Sequence, residues 1–125
     1  MTRYVGLATA LALIKTVGFH VRDVGLLNSS LVRPRTSVFG EDAYPDLPTK
    51  IAALMHSVIK NHPLIDGNKR TAWILMSTFM QLNGFQHNMD TEIGFDLTLG
   101  IAENRYNLDQ AAEIISRHLV PLGSS

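Results

Sequence analysis

Apolar residues recur every three or four positions along almost the whole chain, and no alternating run of strand length interrupts them. That rhythm predicts a nearly all-helical, all-α fold of five or six helices. A first helix is expected from about Tyr4 to Val17, with Leu7, Leu11 and Ile14 on one face and Gly18 closing it. The second follows Asp23 as N-cap and carries Leu26, Leu27 and Leu31 until Pro34 stops it. A third begins near Asp46 with Pro48 in its first turn, turns Ile51, Leu54, Val58 and Ile59 toward the core, and must stop before Pro63. The fourth runs from Gly67 or Asn68 to a left-handed cap at Asn83-Gly84. It holds Ala72, Leu75, Met76, Phe79 and Leu82 on one stripe and reads as the central helix. Two more follow, Thr91 to Glu103 and one opened by the capping-box pair Asn107 and Gln110 ahead of Pro121. Trp73, Met55, Met76 and Met80 read as core fillers, and the tail Gly123-Ser124-Ser125 as frayed.

One stretch departs from this rhythm. Between Pro34 and Pro48 the chain is polar and punctuated by Pro45 and Gly40, about fifteen residues that are long for a plain connector and typical of functional loops. Arg33 and Arg35 stand at its start as further polar candidates.

Composition narrows the class. With 125 residues, 46% of them apolar, the chain fills one core as a single domain over 1–125 and leaves no room for a second catalytic domain. Eleven basic and eleven acidic side chains cancel, so no overall charge recruits nucleic acid or an anionic membrane. The absence of cysteine excludes disulfide scaffolds, thiolate zinc sites and cysteine nucleophiles, and fits a cytoplasmic protein. The uncharged run Tyr4 to Ile14 has eleven residues, against the roughly 20 of a membrane-spanning helix. Its place behind Met1-Thr2-Arg3 is like the apolar part of a secretion signal, but Ala8-Thr9-Ala10 lies inside it and Lys15 follows, so a buried first helix is expected. Charge is nonetheless uneven: residues 1–89 hold nine basic and five acidic side chains, residues 90–125 two and six, which makes the parts +4 and −4.

The chemistry concentrates in Lys60-Asn61-His62-Pro63-Leu64-Ile65-Asp66-Gly67-Asn68-Lys69-Arg70, between the third and fourth helices. Asp66-Gly67 makes the turn that starts the fourth helix, so the backbone amides from Gly67 to Arg70 are left without intrahelical partners. With the helix dipole and two cationic side chains they form a phosphate cradle, although not with the Walker spacing. Asp66 is a carboxylate able to hold magnesium, and His62 is an imidazole able to take a proton from an acceptor hydroxyl. The bland alternative is a capping cluster, with Asp66 as N-cap, Lys69 and Arg70 solvated and His62 bonded to a carbonyl. His20, His56, His87 and His118 have no partner at a metal-binding spacing and read as structural or exposed.

The segment His62 to Arg70 resembles the core motif of the Fic/Doc family, His-x-Phe-x-Asp/Glu-Gly/Ala-Asn-Gly/Lys-Arg, at eight of nine positions. Leu64 stands where the family has Phe. Asp23-Val-Gly-Leu-Leu27, Arg33-Pro34, Tyr44-Pro45, Thr71-Ala72 and Asn83-Gly84 extend the likeness to the Doc branch over residues 20–85. The resemblance implies a helical fold of the Fic/Doc type, with the loop of residues 34–47 as a flap beside the motif turn. In that flap Thr36-Ser37-Val38-Phe39 would align a target segment by strand-like pairing. Lys69 occupies the place where adenylyl-transferring Fic enzymes have Gly, and Doc proteins have Lys there.

The resemblance thus implies a toxin kinase that passes the terminal phosphoryl of ATP to a threonine of translation elongation factor Tu. His62 would be the general base and Asp66 the magnesium ligand. Lys69 would join them in catalysis, and Lys60, Gly67, Asn68, Lys69 and Arg70 would hold the nucleotide. The alternatives are a Fic-type adenylyltransferase with the same site, or a catalytically silent module that holds an anion or a partner. Self-restrained Fic enzymes carry a Ser/Thr-x-x-x-Glu-Gly/Asn helix. The nearest match here, Ser37 to Glu41, is followed by Asp42, so restraint is expected from a separate antitoxin with a disordered segment.

Overall fold

In the computed structural model, which describes residues 1–124, the chain forms six α-helices and two very short two-stranded sheets. The helices are α1 (Leu7–Thr16), α2 (Val24–Val32), α3 (Leu47–Asn61), α4 (Asn68–Leu82), α5 (Thr91–Ala102) and α6 (Leu108–His118). A 3₁₀ turn, Arg33–Arg35, continues α2. Among the described residues no helix is long and apolar enough to cross a membrane.

The helix starts follow capping chemistry. Asp23, Asp46, Asp90 and Asn107 each accept a hydrogen bond from the amide three residues on, at 3.0, 2.9, 2.8 and 2.8 Å. Asn107 and Gln110 close the expected capping box. The first helix begins at Leu7, three residues later than the periodicity suggests. Gly6 is its extended N-cap, and Tyr4 and Val5 precede it as non-helical chain, with Val5 buried in the core.

The central helix is α3 rather than α4. Nine of its fifteen residues are buried, Lys50 to Met55 and Ser57 to Ile59, because it is covered by α2, α4, α5 and α6 together. The sequence stripe on α4 is real, but that helix buries six residues of fifteen and keeps an open face. Ala52 and Ala53 are why α3 can be covered on so many sides: a methyl side chain lets neighbouring helices approach closely. Met55, Met76 and Met80 are fully buried, as expected of core fillers.

Two strand pairs were not legible as periodicity. Ser37–Val38 (β1) pairs with Glu41–Asp42 (β2), and Phe85–His87 (β3) pairs with Leu119–Pro121 (β4), both antiparallel. The second pair ties the chain end onto α4, with a further bond from Gln86 Nε2 to the Ser124 carbonyl at 2.9 Å. Gly123 and Ser124 are therefore held rather than frayed, while Ser125 lies outside the described residues.

The polar loop of residues 36–46 is organised by one buried cation. Lys50, only 2% exposed, donates from Nζ to Asp42 Oδ2 at 3.1 Å and to the Pro34 carbonyl at 3.4 Å. Burial opposes its charge, but the bond to Asp42 and the nearby Tyr4 outweigh that and hold the ammonium above the usual lysine range. Arg33 is a strut in the same loop, donating to Tyr44 Oη at 3.1 Å and to Ser57 Oγ at 3.0 Å, and Arg35 lies 5.0 Å over the Tyr4 ring. Lys50 and His62 are twelve residues apart, roughly 18 Å of helix rise, so the hairpin is tied near the start of α3 and the motif turn at its end.

Candidate active site

The motif turn is assembled from the C-terminus of α3, a five-residue connector and the first turn of α4. His62 caps α3 in the left-handed region, φ 50° and ψ 59°, and its side chain is exposed. Leu64 is 1% exposed and forms a bridge with Val21, so the apolar anchor sits in the core with Leu in place of the family's Phe. Asn68 braces the connector with both ends of its amide: Oδ1 accepts from Leu64 N–H at 2.9 Å and Nδ2 donates to the Leu64 carbonyl at 3.1 Å. Its side chain is thus committed to the loop, and what it offers a ligand is its backbone N–H.

Gly67, not Asp66, is the N-cap of α4. It takes φ 80°, and a Cβ there would lie 2.6 Å from the Phe19 ring, so only glycine fits. Among the described residues no side chain caps the first turn of α4. The amides of Asn68, Lys69 and Arg70 therefore face outward without a protein partner among the described residues, as an anion site requires. Asp66 Oδ1 accepts from Gly67 N–H at 2.8 Å, leaving Oδ2 unbonded among the described residues. One open carboxylate oxygen beside a phosphate cradle fits magnesium, which takes one or two carboxylates and fills its remaining positions with phosphate and water.

Lys69 and Arg70 are exposed, and neither enters an ion pair among the described residues. That exposure agrees with the capping-cluster alternative, which departs from the structure on its two other points. Asp66 does not cap the helix, and the His62 ring makes no hydrogen bond to a carbonyl among the described residues.

From Lys69 and Arg70 a groove of about 540 Å³ runs between α4 and α5, floored by Trp73, Ile74, Gly94, Phe95 and Leu99. Trp73 is half-buried rather than a core residue. It lies so close to Gly94 that a Cβ there would meet its ring at 2.5 Å, and it presents its flank to the groove. A second cavity of about 700 Å³, between α5 and α6, is lined by Glu92, Asp96 and Glu113. Tyr106 and Arg105 hold the Asp96 carboxyl below its usual range. Arg117, paired with Glu113, and His118 line this cavity too, and none of its lining residues belongs to the motif turn, whereas the first groove starts at Lys69 and Arg70 of the cradle.

Lys60 is the expected ligand that the structure does not bring to the turn. Its Nζ donates to the Ala102 carbonyl at 3.3 Å and to Asn104 Oδ1, because two residues of helix put it on the far side of α3 from His62. Conversely, the segment from Phe19 to Asp23 touches the turn throughout and carried no site signal in the sequence beyond the likeness at Asp23. Among the described residues no group of three or more His, Cys, Asp and Glu stands close enough to hold a metal ion by protein ligands alone.

Comparison with known proteins falls on these same residues. A curated Toxin Doc of Mycolicibacterium smegmatis is 46% identical over 94 residues, covering 74% of this chain and 72% of that protein. The model of the Fic/DOC family matches residues 7–80, from the start of α1 through the motif turn and nearly all of α4. A match that spans His62 and the cradle and takes in more than half of the chain, together with that relative, makes this chain a member of the Fic/Doc family.

Proposed function

We propose that this chain is a Doc-type toxin and a protein-modifying transferase that passes the terminal phosphoryl group of ATP to a threonine hydroxyl of translation elongation factor Tu, blocking protein synthesis in the cytoplasm. The observation that carries this reading is an α4 N-terminus without a side-chain cap and two cations, Lys69 and Arg70, without an ion pair among the described residues, directly after His62 and Asp66. The similarity to a curated Toxin Doc supports the toxin reading. Lys69, in the place where adenylyl-transferring Fic enzymes have Gly, favours phosphoryl over adenylyl transfer.

In this mechanism the amides of Asn68, Lys69 and Arg70 hold phosphate oxygens, and the Lys69 and Arg70 side chains offset the charge that develops on them. The apolar floor at Trp73 and Phe95 takes the nucleoside. His62 accepts the proton of the threonine hydroxyl as that oxygen attacks the terminal phosphorus, and ADP leaves with the bridging oxygen. Asp66 Oδ2 would hold magnesium, which when bound neutralises charge across the phosphate oxygens. Lys60, engaged by Asn104, keeps its distance from this chemistry. Restraint comes from a separate antitoxin whose disordered segment folds onto the toxin.

The test is ATP labelled either at its terminal or at its first phosphorus, incubated with this protein, magnesium and purified elongation factor Tu. Retention of the terminal label alone on the target is expected. Retention of the first label identifies an adenylyltransferase, and retention of neither defeats both readings.

A further inference from the structure

His62 occupies a conformation its own neighbours disfavour. At φ 50° it is left-handed, where a Cβ is strained, and the residue before a proline is pushed toward extended backbone. Something else must hold it there. The structure supplies one side chain for the purpose. Arg22 forks over the end of α3, donating from Nε and Nη2 to the His62 carbonyl at 3.0 and 2.5 Å and from Nη2 to the Asn61 carbonyl at 3.3 Å.

Around this fork the backbone is cross-stitched. The Arg22 and Asp23 amides donate to the Pro63 carbonyl at 2.8 and 3.0 Å, the Ile65 amide donates to the His20 carbonyl at 3.0 Å, and Val21 bridges Leu64. The backbone bonds begin only at Pro63. The carbonyls of Asn61 and His62, at the negative end of the helix dipole, have no partner but the guanidinium among the described residues.

We infer that Arg22 is a positioning residue for His62: its guanidinium locks the left-handed cap of α3 and so aims the imidazole at the motif turn. This rests on the transferase reading above only for its kinetic consequence. A planar, two-pronged donor is what two adjacent carbonyls require, and an ammonium in its place reaches one of them. Loss of the fork frees His62 to relax toward the extended backbone that Pro63 favours. The backbone bonds of Arg22 and Asp23 survive a side-chain truncation, so the fold survives as well.

The experiment compares wild type with Arg22→Ala and Arg22→Lys, after thermal melts establish that each is folded. Transfer to the protein substrate is expected to lose about 10²-fold in kcat in Arg22→Ala, the scale of an ångström-sized misplacement, with the KM for ATP unchanged within about twofold. Arg22→Lys falls between, and added guanidinium ion restores part of the Arg22→Ala loss. Backbone ¹³C shifts of His62 leave the left-handed pattern in Arg22→Ala. Wild-type kcat in Arg22→Ala, or His62 shifts that do not move, overturns the inference. If wild type itself transfers nothing, it is the transferase reading that falls. The His62 shifts then still decide the role of Arg22: movement supports it, and constancy ends it.

Discussion

The side-chain amide of Asn68 closes on the backbone of Leu64 at two points, 2.9 and 3.1 Å, so the residue that opens α4 also holds the connector that precedes it. The contact is half-buried and mimics a strand rung. Asn68→Ala removes both bonds and strands the Leu64 amide, and should lower stability by about 1–3 kcal/mol. Urea denaturation measures this. A change below about 0.5 kcal/mol would mean that the connector is held by Leu64 burial and the residue 20–23 segment alone.

Gly67 and Phe19 make a second local test. Gly67→Ala meets both the left-handed φ of 80° and the Phe19 ring at 2.6 Å, and should cost more than about 1 kcal/mol. Phe19→Ala in the same background relieves the clash but not the strain, so a double-mutant cycle should show coupling between the two positions. Strict additivity would place the whole cost in the backbone.

The Lys50–Asp42 bond predicts the behaviour of the hairpin. Asp42→Ala leaves a buried ammonium with the Pro34 carbonyl as its remaining hydrogen-bond partner. Because Asp42 is itself 54% exposed, the expected loss is about 1–2 kcal/mol, below that of breaking a fully buried pair. Lys50→Met, which removes the charge altogether, should cost less. Amide exchange at Ser37 to Asp42 should quicken in Asp42→Ala, and unchanged exchange would show the hairpin to be held by other contacts.

Stability should fall on mild acidification. Burial, reinforced by the charges of Arg33 and Lys60 against a weaker opposing bond from the Asn107 backbone, lowers the His56 pKa; burial and the charge of His118 lower that of His87. Both groups then bind more protons unfolded than folded between their folded values and the ordinary 6.5. Stability is full above that value and declines as pH drops through the window below it. Chemical denaturation at pH 7.5 and 5.0 should show the decline, and replacing both with Gln should flatten it. A parallel slope in the double variant would assign the effect elsewhere.

How much of this was legible in the sequence depends on the range of each interaction. The capping residues Asp23, Asp46, Asn107 and Gln110, and the glycine turns at Gly18 and Gly84, act within four residues, and the structure keeps all of them. The motif turn was legible for the same reason, since His62, Asp66, Gly67 and Lys69 are neighbours in the chain. What escaped the reading acts across the fold. The Arg22 guanidinium reaches forty residues to His62, and β3 meets β4 over a gap that no periodicity spans. Lys60 misled for the opposite reason: nearness in sequence put it with the site, and the 3.6-residue turn of α3 carried it to Asn104.

On the transferase reading the exposed imidazole of His62, which precedes the bared amides of α4 in the motif turn, takes the proton during group transfer. The most direct measurement is the rate of terminal-phosphoryl transfer from labelled ATP to elongation factor Tu by wild type and by His62→Ala. A loss of about 10²- to 10⁴-fold with the melting temperature unchanged is expected. A His62→Ala protein that transfers at the wild-type rate would contradict it.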